Sequence, residues 1–283
     1  MSLPLGVAAL VLLAALFHAT WNAAVKVGGD RLVVMTLYNI VGLIVGWSAI
    51  PFLGLPEPGA WPYLIASSIF HTGYYLVLIR AYQHGDLSHV YPLARGMSPL
   101  LVAIGAAVLA GEHLSALGVV GVTVGCAGIT SLVLERGLPW RQDPRAVLYA
   151  LTTSLFIGAY TLADGVGVRE SGHALTYIAW LVALDGMPLV VIAMIRRRGR
   201  LGPALLANWR NGLLAGVISI AAYGLVIWAM SQGPMASVSA IRETSVIFAA
   251  IIGAVLLKER FGKVRIVATM LVVTGVVTLQ LSG

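Results

Sequence analysis

The sequence predicts an all-α, polytopic membrane protein of ten transmembrane helices arranged as two five-helix halves of opposite orientation. Three observations predict it. Of 283 residues, 59% are hydrophobic and 10% charged, whereas a soluble domain carries about a quarter charged residues. The apolar residues gather in runs of about 20, the length that crosses a hydrocarbon core of about 30 Å as a helix. The fourth and ninth runs also resemble each other in their polar residues.

The runs follow in order. The first, 3–27, resembles a signal peptide but has no basic start and continues past His18 without an obvious cleavage site, so it reads as a spanning helix. The second covers 32–52, and the third, 61–82, is rich in tyrosine and carries His71. The fourth, 88–110, holds Arg95 and Pro99. The fifth, 114–134, carries Gly118, Gly121, Gly125 and Gly128, a small-residue face suited to close packing or dimerisation. It also carries the lone Cys126, so no intramolecular disulfide can form. The longest connection, 135–145, is too short for a soluble domain. The sixth run, 146–168, follows it, and the seventh, 174–195, contains Asp185 and ends in the basic IRRRGR stretch. The eighth (212–231), ninth (235–257) and tenth (264–281) complete the chain.

Charge sets the orientation. The connections after odd-numbered runs, span ends included, hold Lys26, Arg31, Arg80, Arg136, Arg141, Arg145, Arg196, Arg197, Arg198, Arg200, Arg210, Lys258, Arg260, Lys263 and Arg265, fifteen of the 18 basic residues. Basic loops stay cytoplasmic. Both termini are therefore expected outside, which for a bacterial inner membrane means the periplasm. The net charge of +7 is thus a topology feature and implies no nucleic-acid partner.

Laying ARGMSPLLVAIGAAVLAGEHL (94–114) over IRETSVIFAAIIGAVLLKERF (241–261) matches 8 of 21 positions, pairing Arg95 with Arg242, Ser98 with Ser245 and Glu112 with Glu259. Leucine-rich helices share apolar letters by chance; shared Arg, Ser and Glu at one spacing point to a repeat. Two halves, 3–135 and 145–282, are expected. Because five is odd, the second half enters the bilayer from the opposite side, as in many secondary transporters that bind substrate near the midplane.

With these features, SPLLVAIGAAVLAGE ending the fourth run and SVIFAAIIGAVLLKE ending the ninth, the chain resembles the EamA-type branch of the drug/metabolite transporter superfamily. Within that branch it is most similar to the YddG-type amino-acid exporters. The resemblance implies a basket of helices around a central cavity, with the fifth and tenth packed at its periphery. It also implies export of amino acids, particularly neutral and aromatic ones.

Polar groups inside spans are costly and face the bundle interior or a wet cavity. His18, Trp21 and Asn22 share a helical face, as do His71, Tyr74 and Tyr75. Tyr91, Arg95 and Ser98 line the fourth run, Ser239, Arg242 and Ser245 the ninth, and Tyr160 and Asp164 the sixth. Trp61, Tyr82, Trp180 and Trp228 lie near span ends and read as an interfacial belt. Arg95 and Arg242 are each eighth in their runs, which places them roughly 6 Å either side of the midplane, suited to a substrate carboxylate or phosphate. Pro99 lacks the N–H that would bond the Arg95 carbonyl, so a kink and a free acceptor for a substrate ammonium are expected there. The competing reading pairs Arg95 with a structural partner, Asp185 or Glu243. Those two carboxylates are also the candidates for proton coupling, Asp185 first.

No His-Glu-x-x-His, Gly-x-Ser-x-Gly or phosphate-binding loop occurs. Neither catalytic residues, metal nor cofactor is expected, and the small four-helix cation pumps' acidic residue in the first span is missing. The expected partners are a small-molecule substrate and the lipid bilayer, with no obligate protein partner. The alternative substrates are phosphorylated or nucleotide-linked metabolites and organic cations.

Overall fold

The computed structural model describes residues 3–27, 30–84, 87–133, 143–256 and 262–282, with their side chains except those of 22–27, 31, 82, 83, 87–91 and 253–256. Among the described residues, regular structure is helical throughout. The helices are α1 (Leu5–Val27), α2 (Arg31–Leu53), α3 (Trp61–His84), α4 (Leu87–Gly96), α5 (Ser98–Leu109) and α6 (Ala116–Ser131), then α7 (Pro144–Arg169), α8 (Ala174–Arg197), α9 (Leu201–Gln232), α10 (Met235–Arg242), α11 (Ser245–Leu256) and α12 (Lys263–Leu281). Short 3₁₀ turns lie at Pro58–Ala60 and Arg198–Arg200.

Among the described residues, seven helical stretches are long and apolar enough to cross a bilayer. One, Ala174–Gln232, is 59 residues long and holds the seventh and eighth runs; Leu5–Trp21 and Ala116–Ser131 are shorter apolar helices. The protein is a polytopic membrane protein. Its outer surface agrees, since Phe52 is 89% and Val108 77% exposed, which suits contact with lipid tails.

Local chemistry sets the helix ends. Asp30 caps α2 by accepting from Leu32 and Val33 N–H, and Gly54, at φ 75°, ends it. Ser115 caps α6 through Gly118 N–H, and Asp143 followed by Pro144 starts α7. The fourth and ninth runs depart from single spans, each being two helices broken in mid-membrane. α9 starts at Leu201, eleven residues before the expected 212, because the chain turns at Arg198 (φ 41°) and resumes as helix at once.

The principal packing pairs are α3 with α7, α1 with α9, α2 with α8 and α6 with α12. Small residues permit the closest of these. A Cβ on Gly121 would lie 2.7 Å from Leu279 N, and one on Gly275 2.6 Å from Gly121 O. The glycine face of the fifth span therefore packs inside this chain, against the tenth. The main apolar core joins α1, α3, α5, α7, α8, α9 and α10 around the fully buried Tyr177, Leu64 and Met235.

Candidate functional site

The site begins where two helices break. Pro99 removes the N–H that would bond the Arg95 carbonyl, and α4 ends one residue past Arg95. That carbonyl is not left free, as the sequence suggested, because Ser98 Oγ donates to it at 3.0 Å. A hydroxyl three residues on supplies what the proline withholds. The α10–α11 break has no proline. There Thr244 N–H bonds Ile241 O (3.0 Å), Val246 N–H bonds Glu243 O (3.1 Å), and Thr244 Oγ1 donates to Ile241 O (2.7 Å). This tight i to i+3 pattern is the kind that interrupts helices at functional hinges.

The breaks bring the two arginines together. Arg95 Nε donates to Glu243 Oε2 at 2.7 Å, and Arg242 Nη2 lies 3.4 Å from Glu243 Oε1. Both arginines are 2% exposed and Glu243 is 1% exposed. The guanidiniums thus converge on one carboxylate instead of flanking the midplane separately, since long side chains reach inward from both levels. Two cations share one anion, so positive charge is in excess. Arg242 Nε and Nη2 have no hydrogen-bond acceptor among the described residues, and the buried Ser239 Oγ has no partner there either.

An aromatic cage adjoins this clasp. The His71 ring stacks on Tyr160 at 3.9 Å between centroids, with Tyr223 edge-on to both at 5.5 and 6.0 Å. Tyr74 meets Tyr160 at 5.7 Å and Tyr75 at 5.2 Å. On α1, Trp21 Nε1 donates to His18 Nδ1 (3.2 Å), and the Trp21 ring stacks on Tyr38. The charge of Arg242 acts on His18, His71, Tyr160 and Asp164, which ties cage and clasp into one region.

Two buried carboxylates complete it. Asp164 accepts from Tyr177 Oη (3.0 Å) and from Tyr223 Oη. Asp185 faces His71 Nδ1 at 3.8 Å and Tyr75 Oη at 3.4 Å, and its Oδ1 has no hydrogen-bond partner among the described residues. Local backbone chemistry orients Asp185. Pro188 frees the Leu184 carbonyl one residue before it, and Ser68 Oγ on α3 reaches that carbonyl at 3.4 Å.

The site therefore gathers Arg95, Arg242, Glu243, Ser98, Ser239, His71, Tyr74, Tyr75, Tyr160 and Asp185, with His18 and Trp21 on its α1 side. The side chains of Asn22, Tyr91 and Tyr82, and residues 257–261 including Glu259, lie outside the described residues. Sequence reasoning missed Tyr38 and Ser67, whereas Tyr177 and Tyr223 are polar residues the sequence already places in the seventh and eighth runs. Ser67 was within reach, standing one helical turn before His71 with its Oγ 3.1 Å from His71 Nδ1. Trp61 and Trp180 pack edge to face at 4.9 Å near Gly54. Trp61, Trp180 and Trp228 are all half-buried against the main core.

Comparison with known proteins gives the architecture a family. The EamA-like transporter family matches residues 5–134 and 144–280. No curated protein matches the sequence. One solved structure, titled only as the crystal structure of a protein, superimposes with a TM-score of 0.77 at 19% identity, covering 98% of this chain and 99% of the other. That likeness shows the fold. The family match spans nearly the whole chain, and the protein therefore belongs to the EamA-like transporter family, whose members carry small molecules across membranes.

Proposed function

We propose that this transporter exports neutral and aromatic amino acids across a bacterial inner membrane by alternating access, in the manner of the YddG-type exporters. Residues 3–135 and 145–282 act as inverted repeats, with both termini outside. The packing supports two exchangeable halves: α3 against α7 is matched by α9 against α1, and α4 and α5 against α7 by α10 and α11 against α1.

One observation carries the substrate class. The clasp holds positive charge in excess, with Arg242 Nε and Nη2 lacking acceptors beside a cage of histidine and tyrosine rings. A carboxylate on Arg242 would make charge-assisted hydrogen bonds, and an aromatic side chain would stack in the cage. Arg95 is already bonded to Glu243, which leaves the Arg242 donors for that carboxylate. His18, Trp21, Asn22, Tyr91, Ser98 and Ser239 are assigned to the same pathway.

The cage also contains two carboxylates without a Lys or Arg partner among the described ion pairs. This favours an organic cation as the second reading. Counterflow in proteoliposomes decides. Labelled phenylalanine or leucine should enter vesicles preloaded with the unlabelled amino acid and saturate. Movement of a labelled quaternary ammonium alone would select the second reading, and movement of no amino acid would reject the first.

A further inference from the structure

Asp164, Ser67, His71 and Asp185 form a continuous polar line along the wall of the cage. The Ser67 side chain neighbours the Asp164 carboxyl, its Oγ lies 3.1 Å from His71 Nδ1, and His71 Nδ1 lies 3.8 Å from Asp185 Oδ1. Beyond Asp185, Tyr75 Oη is 3.4 Å from Asp185 Oδ2 and 3.3 Å from Tyr38 Oη. The end of α7, the end of α2 and the starts of α3 and α8 share one membrane face, since Glu57 N–H bonds Ser171 O and Thr176 Oγ1 bonds Leu53 O. Counted from that face at 1.5 Å per residue, Asp164 lies about 7 Å deep, Ser67 about 9 Å, His71 about 15 Å, Asp185 about 16 Å, and Tyr75 and Tyr38 about 21 to 22 Å. The line descends step by step.

We propose that this line is a proton relay, and that the transporter exchanges its substrate for protons moving the other way. The inference rests on the transporter reading above and adds its coupling ion and the residues that carry it. In the tautomer with a bare Nδ1, the Asp164 carboxyl proton passes to Ser67 Oγ while the Ser67 proton passes to His71 Nδ1. An Asp164 carboxylate and an imidazolium result. The Ser67 carbonyl, also 3.1 Å from Nδ1, accepts from that new N–H. The imidazolium then gives the proton to Asp185 Oδ1, which restores a neutral ring. Each step breaks one O–H or N–H bond and forms another, and the net result is one proton moved from Asp164 to Asp185.

The arrangement also contains its own coupling device. Both carboxylates stand on α7 and α8, in the second half, whereas Ser67 and His71 stand on α3, in the first. The relay therefore crosses between the halves, and a motion that draws α8 away from α3 would open its long 3.8 Å link. Proton passage is thereby tied to the conformational cycle. The charged and titratable groups facing the relay are Tyr177 on α8, Tyr223 on α9 and Tyr160 on α7, with Tyr74 and Tyr75 on α3 and Tyr38 on α2. The Arg95, Glu243 and Arg242 clasp lies on the α4 and α10 side and His18 on the α1 side. The ring on α3 serves as a transit point between the two carboxylates, and Asp185, whose Oδ1 has no hydrogen-bond partner among the described residues, as the store.

The test uses the full-length protein with two independent readouts. In proteoliposomes, an imposed pH gradient should drive accumulation of labelled phenylalanine. In Asp185→Asn the ratio of pH-driven accumulation to gradient-free counterflow should fall by more than about tenfold. Wild-type, pH-driven accumulation by Asp185→Asn overturns the relay. Infrared difference spectra between acid and alkaline pH, recorded without substrate, should show a buried carboxyl band that disappears in Asp185→Asn. A wild-type spectrum lacking that band, or an unchanged one in the variant, also overturns it. If wild type moves no amino acid, the substrate reading fails and the infrared result alone judges the relay. Should Asp185→Asn not fold, Asp164→Asn and Ser67→Ala must show the same loss of drive, and their retaining it overturns the proposal.

Discussion

At the scale of single residues, Glu243 is the point on which the buried charge turns. It neutralises Arg95 at 2.7 Å and partly neutralises Arg242 at 3.4 Å, all three side chains being at least 97% buried. Removing one member of a buried ion cluster leaves an uncompensated charge and costs about 3–5 kcal/mol. Glu243→Ala should therefore yield little folded protein, measured as the monodisperse fraction surviving a heat step in detergent. Arg242→Ala leaves the shorter Arg95 contact intact and should lose much less. Its defect should appear in transport: losing a charged hydrogen-bonding partner for a substrate carboxylate should raise the half-saturating concentration about tenfold or more. If Arg242→Ala transports normally while Glu243→Ala unfolds, the arginines are purely architectural. The sequence showed that a cation in an apolar run is anomalous, and it offered Glu243 as a possible partner. It could not choose between Glu243 and Asp185, because Arg95 and Glu243 stand 148 residues apart and only the folded chain shows which carboxylate arrives.

At the scale of elements, the ten runs were legible because lipid demands about 20 apolar residues in succession. The break after α4 was legible through Pro99. The break between α10 and α11 was not, since it arises from Thr244 and a few i to i+3 bonds that no breaker residue announces. Nor could Pro99 alone tell that Ser98 would satisfy the Arg95 carbonyl. The glycine face of α6 was legible as a close-packing surface, but its partner was not. Its packing against α12 is uneven, which gives a prediction using one substitution at two sites. A Cβ at Gly121 would meet Leu279 N at 2.7 Å and Gly275 O at 2.8 Å, whereas at Gly125 nothing lies within 4 Å. Gly121→Ala must force two helix backbones apart and should destabilise by about 1–3 kcal/mol, lowering the melting temperature in detergent. Gly125→Ala should leave it unchanged or slightly raised, because only the conformational cost of glycine is removed. Equal melting of the two variants would show that α6 does not pack on α12 at this register.

At the scale of the whole molecule, alternating access requires polar ties between the halves to break at one face while those at the other hold. The structure has such ties at both. At the α7 C-terminal face, Glu112 of the first half bonds Arg169 at 2.6 Å and accepts from Met235 N at 2.8 Å. Arg169 also donates to the Met230 and Gly233 carbonyls, so the second half braces it. At the opposite face, Asp30 pairs with Arg197, and His84 with Asp143 at 3.5 Å. These pairs are partly exposed, and such ties contribute about 0.2–1 kcal/mol each. At the upper end of that range a balanced equilibrium shifts about fivefold. Glu112→Gln should therefore favour opening at the α7 C-terminal face and Asp30→Asn opening at the other. A cysteine placed at the buried Ser239, with Cys126→Ser removing the native thiol, reports which occurs. A membrane-impermeant thiol reagent should label it several-fold faster from the face whose tie was weakened, and more slowly from the opposite face. Faster labelling from both faces in either variant would mean that the ties hold the bundle closed in general instead of gating one side at a time. The proposed alternation of access, and with it the proposed relay from Asp164 to Asp185, would then need a different hinge.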